Sequence, residues 1–224
     1  MDNWRGVTDG GPAPIRSGGV IGLVPDTCGG RLEAWQPDGA HNRLATAPTM
    51  TVCSVAGTAT ADGAWWVGGR TADDDAPAVA VTRDGGQTWA VTRLPAGPGR
   101  AIVSTLGNRV FASTVSERGG DPYPETLTMH AVYRSVDGAA FQPYMLTPST
   151  LIGEVVPLLD GRLLSAGPDW QLCDGGAFTR AGGSLPWVRR FERTAGAWVA
   201  YDLFRGGWAA ISTDGVTWQK VNLR

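Results

Sequence analysis

The chain has 224 residues, including 32 Gly, 15 Pro and 10 Trp, and its only lysine, Lys220, stands against 18 Arg. Gly and Pro together stay below the share that marks a low-complexity chain, and a hydrophobic fraction of 42% is enough for a core, so the composition excludes disorder and favours one turn-rich domain. A net charge of −2 excludes the basic surface of a nucleic-acid binder, and no apolar run approaches the roughly 18 residues of a membrane-spanning helix.

Sixteen Asp against five Glu, with one Lys, is poor material for surface helices, whose exposed faces favour Glu, Lys, Gln and Ala. The expected class is therefore all-β. Short alternating runs bounded by Gly, Pro and Asp divide the chain into five units of about 1–48, 49–97, 98–148, 149–185 and 186–224. The first has candidate strands at Trp4–Val7, Gly19–Val24, Arg31–Trp35 and Arg43–Ala45. The second has Thr51–Thr58, Ala64–Gly69, Ala78–Thr82 and Thr88–Leu94, and the third Ala101–Thr105, Arg109–Thr114, His130–Arg134 and Ala140–Met145. Gly153–Leu159, Arg162–Ser165, Trp170–Cys173 and Phe178–Arg180 make the fourth; Val188–Arg193, Ala197–Asp202, Trp208–Ser212 and Thr217–Val221 make the fifth.

One short pattern recurs between the third and fourth strands. Thr82-Arg83-Asp84-Gly85-Gly86-Gln87-Thr88-Trp89 returns near the end as Ser212-Thr213-Asp214-Gly215-Val216-Thr217-Trp218. Ser135-Val136-Asp137-Gly138 and Cys173-Asp174-Gly175-Gly176 are weaker copies, and Gln36-Pro37-Asp38-Gly39 is weaker still. The five aspartates lie about 44 residues apart on average. Asp-Gly between alternating runs is a hairpin signal, because Gly supplies positive φ and the carboxylate accepts bonds from turn N–H groups. Thr82, Asp84, Gly86, Thr88, Trp89, Ser135, Asp137, Ser212, Asp214, Gly215, Thr217 and Trp218 are accordingly expected to be structural. Four antiparallel strands repeated at this period predict a five-bladed β-propeller in a single domain.

These segments resemble the Asp-box, or BNR, repeats of the sialidase-like β-propellers, a superfamily that also includes sortilin-type receptors, xyloglucanases and a photosystem assembly factor. The resemblance implies a propeller fold with Asp-box turns facing away from the ligand. It does not select an activity, since unrelated functions share the repeat. Sialidases of this kind carry an Arg-Ile-Pro motif, and Pro14-Ile15-Arg16-Ser17 has the wrong order. No spacing singles out a Tyr–Glu nucleophile pair. His41 and His130 lack neighbours at metal-ligand spacing, so no metal or other cofactor is expected. His130 reads as a packed strand residue. Asp73-Asp74-Asp75 lacks the alternating spacing of calcium loops and reads as a solvated tip.

If each unit runs from inner to outer strand, the second-to-third loops and the links between blades share the face opposite the Asp-Gly turns. That loop face is where a ligand is expected, through Arg70, Asp73, Arg118, Asp121, Tyr123, Glu125, Trp170, Trp187 and Arg205. Cys28 lies in one such loop and Cys53 near the start of the next inner strand, so the two are expected to bond, with Cys173 a buried free thiol. The bond places the protein outside the cytosol, secreted or attached to the envelope, although Met1-Asp2-Asn3 opens no secretory segment. A cytosolic location is the alternative. The function expected is a noncatalytic, monomeric module that binds or scaffolds a protein or glycan. The alternatives are a sialidase-like glycoside hydrolase or lectin, and a piece of a larger propeller protein. Trp4–Val7 beside Thr217–Val221 is the pairing expected to close the ring.

Overall fold

The computed structural model describes residues 9–95, 97–117, 127–137, 140–151, 155–165, 170–181, 190–194, 197–202 and 208–222. These residues form 21 strands in five sheets. The first sheet holds β1 (Asp9–Gly10), β2 (Val20–Val24), β3 (Arg31–Trp35) and β4 (His41–Arg43). The second holds β5 (Met50–Val55), β6 (Trp65–Thr71), β7 (Pro77–Thr82) and β8 (Ala90–Arg93). In the third are β9 (Arg100–Leu106), β10 (Arg109–Glu117), β11 (Leu127–Ser135) and β12 (Gln142–Met145), with β13 (Ser149–Leu151) paired to β11. The fourth contains β14 (Val155–Pro157), β15 (Leu163–Ser165), β16 (Gln171–Cys173) and β17 (Phe178–Arg180). The fifth contains β18 (Arg190–Thr194), β19 (Ala197–Asp202), β20 (Trp208–Ser212) and β21 (Gln219–Asn222). In blades 2 to 5 the strands follow chain order as an antiparallel meander, and the molecule is a five-bladed β-propeller.

Burial between blades explains the composition of the strands. β7, Pro77-Ala78-Val79-Ala80-Val81-Thr82, is buried at every position, because a strand covered on both faces needs apolar residues on both. Each of four seams has its own hydrophobic cluster. Leu32, Ala34 and Leu44 meet Val67 and Ala80 between blades 1 and 2, and Trp66 and Val81 meet Val103 and Tyr133 between blades 2 and 3. Phe111 and Met129 meet Leu163 and Cys173 between blades 3 and 4, while Leu158 and Trp170 meet Phe191 and Trp198 between blades 4 and 5. Among the described residues no such cluster joins blade 5 to blade 1. Strand alternation turns Val20 and Trp35 of blade 1, and Ile211 and Val221 of blade 5, away from the packed seams, and all four are exposed.

Blade 1 departs from the expected scheme. Its order is β1-β4-β3-β2, and β1 pairs with β4 in parallel, Asp9 opposite His41. The turn after β2 lies beside the start of β5, since Gly29 N donates to Val52 O at 2.8 Å and Cys28 is bonded to Cys53. The turn after β3 lies at the other end of the molecule. There Gln36 Nε2 donates to Pro14 O at 3.0 Å, and the adjacent Ile15 N donates to Gly85 O at 2.8 Å. β2 therefore runs opposite to β5, so β2, β3 and β4 correspond to second, third and fourth strands, with β1 added outside them. The expected first strand, Trp4–Val7, and its closing pairing with the last strand lie outside the described residues.

The Asp-Gly turns are built by short-range hydrogen bonds. Asp84 Oδ1 accepts from Thr82 Oγ1 at 2.8 Å, Gln87 N at 3.0 Å and Thr88 N at 2.9 Å, while Thr88 Oγ1 donates to Oδ2. At Asp214 the same oxygen accepts from Ser212 Oγ at 2.8 Å, Val216 N at 2.8 Å and Thr217 N at 2.7 Å. Asp137 keeps bonds from Ser135 Oγ at 3.1 Å and Ala140 N at 3.5 Å. Asp38 accepts from Ala40 N at 3.1 Å and from Arg16 Nη2 at 2.6 Å. The closing aromatics pack into the seams: Trp89 lies against the cluster of blades 1 and 2, and Trp218 sits 5.5 Å from Phe191 and 6.4 Å from Trp170 between ring centres.

Candidate functional site

The ends of the second strands and the starts of the inner strands meet on the loop face. Arg70, near the end of β6, Arg100, the first residue of β9, and Ser116, near the end of β10, line a cavity of about 470 Å³. Asp26, Thr27 and Cys28, from the β2–β3 turn, and Cys53 of β5 line it as well. Among the described lining residues Arg70 and Arg100 are the guanidinium groups and Asp26 the carboxylate. The disulfide Cys28–Cys53 ties the turn to blade 2, and closing a loop of 25 residues removes roughly 3–4 kcal/mol of chain entropy from the unfolded state in the usual entropic account. Cys173 is free and buried in the seam of blades 3 and 4; burial pushes its thiol pKa up.

Each arginine is positioned by its surroundings. Arg70 Nη1 lies 3.6 Å from Asp75 Oδ1, and the Nε–H of Arg70 is buried with no acceptor among the described residues. Arg100 Nη1 lies 3.6 Å from Cys28 Sγ. Ser116 Oγ is 2.8 Å from Nε2 of half-buried His130 on the neighbouring strand β11, so His130 pairs with a residue of the cavity wall. At the rim, Asp73 is exposed and accepts from Asp74 N at 3.1 Å. Asp74 accepts from Thr71 Oγ1 and pairs with Arg93 Nη1 at 2.6 Å, and the Thr71 hydroxyl is the main cause of its lowered pKa. The three aspartates are thus engaged in ordinary loop bonding. No cluster of three or more His, Cys, Asp or Glu able to hold a metal occurs among the described residues.

A second cavity, of about 510 Å³, follows the axis of the propeller. Ile21 and Leu23 of β2, Val55 of β5, Ile102 of β9, Val155 of β14 and Phe191 of β18 line it. Asp26 and Cys53 border both cavities, so the β2–β3 turn separates the axial space from the loop-face space.

Of the residues expected at a ligand site, Arg70 is in the loop-face cavity and Asp73 is on the loop nearby. Arg118, Asp121, Tyr123, Glu125, Trp187 and Arg205 lie outside the described residues. Trp170 is a correction: it was expected on the loop face, but it is 4% exposed and packed against the last two blades, edge-on to Trp218. An indole in a seam has no face left for a ligand. Trp35, at the end of β3, is instead 38% exposed and stacks on His41 with ring centres 4.8 Å apart. Arg100 and Ser116 were missed. Arg100 follows the link Gly97-Pro98-Gly99, and links between blades share the loop face, so its position was available from the repeat scheme.

No protein-family model matches the chain, and no curated protein matches its sequence. Among solved structures, the chain is similar to YCF48 bound to a D1 peptide, with 16% identity over 96% of this chain and 87% of that one at a TM-score of 0.38. It is also similar to the GH74 xyloglucanase from Xanthomonas campestris, with 16% identity over 85% of this chain, 36% of that chain and a TM-score of 0.40. A protein from Lactobacillus plantarum is similar at 14% identity, over 91% of this chain and 81% of that one, with a TM-score of 0.36. The chain spans little more than a third of the xyloglucanase. Among the described residues no helix is long and apolar enough to cross a membrane.

Proposed function

We propose that the protein is a noncatalytic binding or scaffolding module that recognises a protein or glycan through its loop face. The observation that carries this reading is the cavity on the loop face, which brings Arg70 of one blade and Arg100 of the next into one wall. A guanidinium that lines a cavity offers a ligand oxygen a charge-assisted bond, stronger than one between neutral groups. The disulfide fixes one wall in advance, which lowers the entropy lost on binding. The bonding around Asp84 and Asp214 supports reading the repeats as Asp-boxes, and the disulfide supports a secreted or envelope-attached protein.

The test is glycan-array and pull-down screening of the intact chain, with a fluorogenic sialoside assay run in parallel. The expected result is a ligand whose affinity falls at least tenfold in both Arg70→Ala and Arg100→Ala while the melting temperatures stay near that of the parent. Turnover of the sialoside, or a ligand indifferent to both substitutions, overturns the reading.

A further inference from the structure

The Cys28–Cys53 bond is not sealed in a seam. Both cysteines are half-buried and line the loop-face cavity, and Cys53 also borders the axial one. Exchange with an external thiol needs access to one sulfur and a leaving thiolate that is stabilised. Arg100 Nη1, at 3.6 Å from Cys28 Sγ, supplies the second condition, because an adjacent guanidinium favours the thiolate over the thiol. Among the described residues no cation is hydrogen-bonded to Cys53 Sγ. The two ends of the bond are therefore unequal: cleavage that places the charge on Cys28 is favoured.

We propose that this disulfide is a thiol-exchange site in the wall of the loop-face cavity, where a low-molecular-weight thiolate attacks Cys53 Sγ and Cys28 leaves as a thiolate beside Arg100. The incoming sulfur uses its own electron pair to bond Cys53 Sγ. The Cys28–Cys53 bond breaks, and its pair stays on Cys28 Sγ. The proton of the incoming thiol has already gone to solvent, and the disulfide itself is the oxidant, so no further co-reactant enters. The product is a mixed disulfide at Cys53 and a thiolate at Cys28. The β2–β3 turn then keeps the Gly29 N to Val52 O hydrogen bond to blade 2 and loses the covalent tie to it. Because that turn walls both cavities, exchange changes the shape of each. The inference uses the geometry of the cavity and is independent of what ligand the cavity takes.

The experiment treats the native chain with reduced glutathione, quenches in acid, blocks free thiols with N-ethylmaleimide and maps both labels by peptide mass spectrometry. Glutathione on Cys53, maleimide on Cys28 and an unlabelled, buried Cys173 are expected. Arg100→Gln should slow exchange several-fold, and Arg100→Lys should restore most of the rate. Glutathione found on Cys28, exchange seen only in denaturant, or an unchanged rate in Arg100→Gln overturns the proposal. The label map comes from the parent protein alone, so it stands even where a variant folds poorly.

Discussion

The Asp84 carboxylate is surrounded by donors from its own turn, the Thr88 and Thr82 hydroxyls and the N–H groups of Gln87 and Thr88. The Thr88 bonds are the main reason its pKa lies at about 2. Asp214 is lowered further, first by the backbone N–H groups of Thr217 and Val216. An ordinary aspartate in the unfolded chain titrates near about 3.9, so as pH falls the unfolded state takes up protons first. These two groups therefore contribute stability that is complete above about pH 5 and is lost as pH falls through about 4 towards 2. Thermal melts from pH 6 to 2 should show a shallower loss of Tm in Asp84→Asn and Asp214→Asn than in the parent; parallel curves would remove the turn carboxylates from the acid response. This bonding is legible in the sequence because every partner lies within four residues of the aspartate. The same logic overlooked Thr60-Ala61-Asp62-Gly63, where Thr60 Oγ1 donates to Asp62 Oδ1 at 2.5 Å in the turn between β5 and β6. There the pattern makes a first-to-second turn, a place the repeat period does not mark.

At the scale of the element, the Asp-Gly turns also brace neighbouring blades. Gly86 has φ +87°, and a Cβ there would sit 2.9 Å from Leu44 Cδ1 of blade 1. Gly215 has φ +76°, and a Cβ there would run into Leu158 of blade 4, which is fully buried. Gly39 has φ +82° with open space around the missing Cβ. The three sites separate backbone strain from packing. Gly39→Ala should cost about 1–2 kcal/mol, the left-handed penalty alone. Gly215→Ala should cost about 1–3 kcal/mol more, since Leu158 must move within a filled seam, and Gly86→Ala should fall between them. Equal losses in urea denaturation would mean that the turns do not press on the preceding blade. Strands bounded by Gly, Pro and Asp were legible because each run is short and local: Ala197–Asp202 and Trp208–Ser212 have the same bounds in sequence and structure. The parallel pairing of Asp9 with His41 was not, because pairing between segments some 30 residues apart leaves no periodic trace. Trp170 failed for a related reason, since position at a strand end does not say which neighbouring blade leans over it.

Over the whole molecule, four seams carry buried clusters, and among the described residues the fifth presents Val20 and Trp35 on one side and Ile211 and Val221 on the other, all exposed. In a repeat fold stability is roughly a sum of unit terms and nearest-neighbour interfaces, so the seam with no cluster among its described residues is the one expected to open first. The Cys28–Cys53 bond reinforces the seam of blades 1 and 2, not this one. Two measurements follow from the same asymmetry. Ile211→Ala and Val221→Ala should each shift stability by no more than about 0.5 kcal/mol, as surface substitutions do, whereas Leu158→Ala in the adjoining seam should cost about 2–5 kcal/mol. Native-state hydrogen exchange should find lower opening free energies for the amides of β2, β3, β20 and β21 than for those of β6, β7, β10 and β11, which sit between two packed seams. Losses at Ile211 and Val221 as large as that at Leu158, or uniform protection across the five sheets, would mean that blades 5 and 1 bury each other in solution as the other blades do.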